Sequence, residues 1–509
     1  MKRTGIVSFF FLAIFAAMAQ TNAPMDTQSD TNANARLMSL QDCLQEALVH
    51  NLDIQISRQT PLADIYDLRG DYGGWDPTLK ASGTHSYNSQ PPTIALIGTN
   101  FEESAYTSKS DAFDSDIGGT LPWGLQYDFT GSISQGQQIE TFAGTSESSS
   151  GDIGVQLTQP LLKNFWIDNT RLTIRQAKDT LESDQALFRK NVIGDVTAVV
   201  TAYYELIFNI ENVGVDEEAL ELSQTQLSQD QQRVEIGSLA PLSVEQDQSQ
   251  AATDQSTLIA DKEKLSAAQN TLKGLLADTN YMSWHAVDIQ PTETLQAKLE
   301  EFDLQDSWNK GMSGNPLLVI DRMSAEKDGI ALKFDRNQLF PELDLIGSYG
   351  YNGAGPQYSD SFGGIDQGNA PFYTYGAKLS MPLGNIGARN TAKAAKITLK
   401  AALLTLKQEE QTVMVDIDND IKTIQSDYES VDATKQARVY AEAALDAEQK
   451  TYAVGKATTF EVLQYQNSLT TARSQEIRAL ANYNEALATL AQDEGSTLAR
   501  YNVDIEVPQ

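Results

Sequence analysis

The residues able to do chemistry are few and far apart. The chain holds three histidines, His50, His85 and His285, and one cysteine, Cys43. They fall in different segments, so neither a zinc-ligand set nor a nucleophile–base pair is visible. No glycine-rich loop follows a strand and opens a helix, the arrangement that phosphate binding needs. Two acidic runs, Asp114-Ser115-Asp116 and Asp416-Ile417-Asp418-Asn419-Asp420, superficially resemble a calcium loop. The second lies inside a helical seam and lacks the required glycine turn; solvated faces explain both. Cys43 has no disulfide partner in the chain and is expected to be a buried structural thiol. The expectation is therefore no enzyme, no metal and no cofactor.

Charge and conformation at two turns are more informative. Between Tyr452 and Gln464 one helical pattern stops at Val454-Gly455-Lys456, and another opens at Thr458-Thr459 with Glu461 in its first turn. Upstream, Arg233-Val234-Glu235-Ile236-Gly237 stops a helix that Pro241 restarts, with Ser243 in the new first turn. The two turns are related by an offset of 218 that holds without a gap to Leu272 and Leu490, with ten of 36 pairs identical. A duplicated helical hairpin follows. Glycine at both helix ends is explained by turn geometry, and Glu461 by the dipole at a helix N-terminus.

The elements that position these turns follow the same duplication. Lys2-Arg3, an apolar run from Gly5 to Met18 and the small residues Ala17 and Ala19 read as a signal peptide over 1–19. A polar, disordered lead spans 20–38. The first repeat, 39–277, reads as a helix to about Tyr72 with a kink or break at Pro61, strands over 77–160, a long helix of about 170–235, the Gly237 hairpin and a second arm. A connecting segment covers 278–306. The second repeat, 307–492, holds a helix, strands over 341–382, a long helix with Ile417, Ile421, Ile424, Tyr428 and Val431 as a coiled-coil seam, the Gly455 hairpin and a last arm. An irregular tail covers 493–509. The strands alternate, as in Leu79, Ala81, Gly83, His85 and Tyr87 against Lys80, Ser82, Thr84 and Ser86, a pattern shared by membrane barrels and soluble sandwiches. At about 1.5 Å per residue each long helix reaches roughly 100 Å, far more than a compact core requires. A net charge of −32 excludes nucleic acid as a partner.

The ordered set resembles the TolC family of outer-membrane efflux proteins. It rests on the Gly237 and Gly455 hairpins, on Pro160-Leu161-Leu162 and Pro382-Leu383-Gly384 where strands hand over to helices, and on Leu40-Gln41-Asp42-Cys43-Leu44 with Ala47, Leu48 and Asn51. The resemblance implies a mainly α fold, an internally duplicated helical barrel joined to a transmembrane β-barrel and completed by a homotrimer. It implies an outer-membrane location with a periplasmic helical domain, and export of small molecules or proteins in tripartite efflux or type I secretion. The implied partners are a periplasmic adaptor (membrane fusion) protein, an inner-membrane transporter and outer-membrane lipid. Adaptor contact falls on Gly237, Gly455, Arg233, Val454 and Lys456. The family's periplasmic gate falls on Glu461, Gln464, Tyr452 and Ser243. Ala457 stands in place of the lock arginine and Ser243 in place of its aspartate, so only a Glu461 ring is carried over, not the lock. The family usually has four strands per protomer. The stretch from Pro77 to Pro160 holds an extra hairpin around Pro122-Trp123-Gly124, expected to be an external loop rather than wall strands. The rival from another class is a soluble periplasmic coiled-coil adaptor or scaffold, which has no need of the strand clusters.

Overall fold

The computed structural model describes residues 35–97, 100–140, 144–277 and 281–508, so the signal peptide and the lead up to residue 34 lie outside the described residues. The first half runs β1 (Ala35–Met38), α1 (Leu40–His50), α2 (Leu52–Asp71), β2 (Thr78–Ile97), β3 (Asn100–Thr120), β4 (Gln126–Glu140), β5 (Gly144–Pro160), α3 (Asn169–Glu235) and α4 (Pro241–Leu276). A connector of α5 (Tyr281–His285) and β6 (Asp288–Pro291) follows. The second half runs α6 (Leu304–Gly314), α7 (Pro316–Asn337), β7 (Glu342–Gly355), α8 (Tyr358–Gln367), β8 (Pro371–Ser380), α9 (Ile386–Ala453), α10 (Thr459–Asp493) and α11 (Thr497–Arg500).

The long helices are 67 and 68 residues, and each is flanked by shorter helices. The first expected helix is broken at Asn51, not at Pro61, which α2 runs through. Asn51 accepts from the backbone N–H groups of Asp53 and Ile54, which caps α2, while its Nδ2 donates to the Leu275 carbonyl at 3.0 Å. In the second half Asn315 caps α7 through Leu317 N–H, and its Nδ2 donates to the Asp493 carbonyl at 3.2 Å. Each buried amide thus ties a junction between short helices to the end of the arm rising from the tip. That is how two short pieces are held in register beside one long helix.

The two largest apolar clusters hold the helices together away from the tip. Val192, Val196, Val199, Tyr203 and Leu206 of α3 pack against Cys43 and Leu44 of α1, Leu272 and Leu276 of α4 and Ile289 of β6. Cys43 is fully buried, and burial pushes its thiol up to about 12, out of reach of ordinary thiolate chemistry. Ile417, Ile421 and Ile424 of α9 pack against Leu318, Tyr483, Leu487 and Leu490. Burial of each such aliphatic side chain stabilises by about 1.5–3 kcal/mol. Residues 35–38, expected to be disordered, instead form β1, which pairs in parallel with β6. The Tyr203 hydroxyl donates to the Met38 carbonyl at 3.1 Å and anchors that strand to α3.

Six strands form one antiparallel sheet in the order β2-β3-β4-β5-β7-β8. The hairpin expected as an external loop is therefore part of the sheet, and the polar stretch before Ser110 is strand. Its Ser, Thr and Pro residues and the unbroken Ile94-Ala95-Leu96-Ile97 run offer no alternation by which to read a strand. Cross-strand partners line up across all six strands. Leu79, Ile117, Phe129, Val155, Tyr349 and Tyr373 form one row. The adjacent row, on the opposite face, is Thr78, Gly118, Asp128, Gln156, Ser348 and Thr374. Along these rows one face is apolar and aromatic and the other polar and acidic, as a membrane-barrel wall requires. The loop after β7 contains α8, which lies on the upper end of the apolar face. Gly353 makes room for it, since a Cβ there would meet the Ser361 carbonyl oxygen at 1.9 Å, and Ser361 Oγ donates to Ser149 Oγ at 2.9 Å.

Candidate functional site

The site lies at the helical ends far from the sheet, where α3 turns into α4 and α9 into α10. Both turns have the same construction. Gly237 and Gly455 each adopt φ of +75°, a left-handed conformation that side chains disfavour. Ser238 N–H donates to the Arg233 carbonyl at 2.8 Å and Lys456 N–H to the Thr451 carbonyl at 3.1 Å, which closes the last turn of each long helix. The restarts differ. Pro241 opens α4 with no side-chain cap, whereas Thr458 caps α10 in a reciprocal box with Glu461. The Glu461 carboxylate accepts from Thr458 N–H at 2.7 Å and from its hydroxyl at 2.9 Å, and these bonds hold its pKa below the usual glutamate value. Glu461 thus has a structural partner inside its own chain.

Tyr452 is buried and its hydroxyl donates to Asp230 Oδ2 in α3. The same oxygen accepts from Gln226 Nε2 at 3.0 Å and from Thr459 Oγ1 at 3.1 Å. Arg233 Nη1 lies 3.8 Å from Asp230 Oδ1, and its guanidinium stacks over the Tyr452 ring at 4.7 Å. One carboxylate therefore binds three helices, α3, α9 and α10, at the point where they end. Asp247 of α4 is fully buried nearby, and neither of its oxygens accepts a hydrogen bond from a described residue. Burial, with the Asp230 charge beside it, pushes Asp247 up to about 7. Three donors and an arginine surround Asp230, whereas Asp247 has no such partners, and burial beside that carboxylate favours its protonated form.

Asp230 is the partner that the sequence did not reveal. Ser243, which stands where the expected aspartate would be, sits half-buried in the first turn of α4 and takes no part in these bonds. Tyr452 is tied to a carboxylate from α3. A signal was present: the buried positions Val213, Asp216, Ser223, Gln226 and Asp230 continue the seam spacing of α3 with polar residues in apolar places. Asp216 repeats the theme against Asp261 of α4; burial and that neighbour push it up to about 7. Gln464 is exposed on α10, one turn past Glu461. Close by, the Gln250 and Asn467 amides of α4 and α10 exchange hydrogen bonds of 2.9 and 3.1 Å. Val454, Gly455 and Lys456 are exposed at the second tip, and Ile236, Leu242 and Phe460 add apolar surface around them. Among the described residues no group of three or more His, Cys, Asp and Glu side chains is placed to hold a metal ion. No described helix is long and apolar enough to cross a membrane.

Known proteins share this architecture. The chain is 25% identical to outer membrane protein TolC of Escherichia coli (strain K12) over 295 residues, covering 56% of this chain and 57% of that protein. That is under two thirds of the relative's length. It is 24% identical over 375 residues to outer membrane protein TolC of Salmonella enteritidis, covering 71% of both. The fold matches the outer membrane channel CmeC of Campylobacter jejuni with a TM-score of 0.65 at 13% sequence identity, over 95% of this chain and 94% of that one. The family described as outer membrane efflux protein matches residues 123–278 and 326–496, more than half of the chain and one segment in each duplicated half. The chain belongs to the outer membrane efflux protein family.

Proposed function

We propose that three copies of this chain form a conduit in the outer membrane, with the sheets closing a β-barrel and the helices a periplasmic tube. The conduit passes small molecules or proteins from the periplasmic side to the exterior. The observation that carries this reading is the joining of two unlike structures in one chain. A sheet with an apolar outer face and an acidic inner face is continuous with helices of about 100 Å. Neither half serves a soluble scaffold. The sheet leaves β2 and β8 as open edges, and lipid does not tolerate unpaired backbone, so copies must complete one another.

The tip is the gate in this reading. The Asp230–Tyr452–Thr459 tie holds the two hairpins together, and opening requires it to break. Glu461 and Gln464, three copies of each, would face ions entering the mouth. The exposed Val454, Gly455 and Lys456, with Gly237 and the apolar Ile236, Leu242 and Phe460, form the surface on which a periplasmic adaptor docks. An inner-membrane transporter supplies the energy, since no nucleotide-binding loop stands in this sequence. Separation of inner and outer membranes by density after expression of the full chain tests the placement. Recovery in the outer-membrane fraction as a detergent-stable trimer is expected; recovery as soluble periplasmic protein would support the scaffold instead.

A further inference from the structure

The β2–β3 hairpin is built like the wall beside it. Its apolar side chains Leu79, Phe113 and Ile117 are 66%, 55% and 43% exposed, on the same face as Phe129 and Ile153, at 52% and 53%. Leu79 and Ile117 stand in one cross-strand row with Phe129, Val155, Tyr349 and Tyr373. A hairpin projecting into water gains nothing from an apolar face continuous with the membrane band. Its opposite face carries Lys80, Asp114 and Asp116, polar like the inner face of β4 and β5, and Lys80 Nζ reaches Asp116 Oδ2 at 3.4 Å.

The two free edges also fit each other. Successive strands of the sheet are antiparallel, and with six strands β2 and β8 run in opposite directions, so the edge of one copy meets that of the next antiparallel. Edge strand β2 carries Pro91-Pro92 where its register shifts between Gln90 and Thr93. Proline offers no N–H, so pairing along this edge is confined to residues 78–90. The other edge, β8, is 10 residues long and fits within that stretch.

We propose that the β2–β3 hairpin is membrane wall, that β2 of one copy pairs with β8 of the next, and that six strands from each of three copies close an 18-stranded barrel. The proposal rests on the channel reading and refines it. Barrel diameter grows about linearly with strand number, so the outer opening is about 1.5 times as wide as that of a 12-stranded barrel. Its lining gains Asp114 and Asp116 from each copy. The exit at the membrane then does not limit cargo size, and the restriction lies at the helical tip.

Cysteine pairs in the full-length protein, oxidised in isolated outer membranes, test the seam. Tyr375→Cys in β8 is combined in turn with Leu79→Cys, Ala81→Cys or Tyr87→Cys in β2, and with Phe129→Cys in β4. Cys43 is fully buried and stays silent. Covalent dimers and trimers are expected from at least one β2 pair and none from the β4 pair. Cross-linking through Phe129→Cys, or none through β2, would overturn the proposal. Labelling of single substitutions is a second readout that needs no disulfide. Phe113→Cys is expected to react with a lipophilic maleimide and resist a charged one, and Asp114→Cys the reverse. Reaction of both with the charged reagent would make the hairpin an external flap. If Tyr375→Cys itself never reacts from the lipid phase, the channel reading fails, and that result differs from failure of the hairpin alone.

Discussion

Asp230 shows how a single carboxylate can join three helices at one tip. It is buried, with three donors on one oxygen and Arg233 beside the other. Asp230→Asn and Tyr452→Phe each remove part of the tie while keeping its shape. Each is expected to weaken hairpin closure by about 1–3 kcal/mol, the range for leaving a buried polar group without its partner. The check is sensitivity of cells to a large hydrophilic antibiotic: both variants should raise it, and Ser243→Ala should not. Equal behaviour of all three would remove Asp230 from the gate. Glu461 separates two roles cleanly. Glu461→Gln keeps an N3 side chain able to accept from the Thr458 N–H but loses the charge, whereas Glu461→Ala loses both. Thermal unfolding is expected to shift only for Ala, by about 0.5–2 kcal/mol. Weaker block by multivalent cations is expected for both. Unaltered block with Gln would leave Glu461 as a helix cap alone.

At the scale of helices and strands, periodicity was legible where side chains alternate in chemistry. The seam of Ile417, Ile421 and Ile424 and the glycine stops of both long helices could be read from residue types. The polar strands could not. Between Asn88 and Ser110 the apolar residues Ile94, Ala95, Leu96 and Ile97 run together instead of alternating, and only the cross-strand register makes these segments part of β2 and β3. Asp230 was hidden for the opposite reason: it occupies a seam position, where a polar residue reads as a defect until its donors from α9 and α10 are seen. Buried acid pairs between helices give these elements an unusual pH response. Burial and the Asp493 carboxyl raise Asp420 to about 7, alongside Asp216 and Asp247. Their folded pKa values lie above the unfolded value near 3.8. The folded state therefore binds more protons between about pH 4 and 7, and stability is full at low pH and falls as pH rises through 7. Thermal unfolding of the full protein should occur at higher temperature at pH 5.5 than at pH 8. Asp247→Asn should reduce that difference by raising stability at pH 8. A transition that moves the other way would mean that Asp216, Asp247 and Asp420 are not raised in the fold.

For the whole molecule, duplication explains both the length and the economy of the design. Each half builds a long helix and a matched stack of short ones, and the asparagines Asn51 and Asn315 hold the stacks in line. Asn51→Ala and Asn315→Ala each remove a cap and a long-range tie, so each is expected to cost about 1–2 kcal/mol in chemical unfolding, with additive effects because the sites are in separate halves. A strongly non-additive pair would show that the halves do not unfold as separate units. The fold as a whole was legible because the repeat, the helix lengths and the strand clusters agree with one another. The number of wall strands was not, since strand count depends on which polar segments find partners. The central claim is that this chain conducts through a barrel and is restricted at its tip. Single-channel recording of the purified full-length trimer in planar bilayers tests it most directly. Stepwise insertions of small conductance are expected, and the conductance should rise several-fold in Tyr452→Phe. Absence of steps, or steps that Tyr452→Phe leaves unchanged, would contradict it.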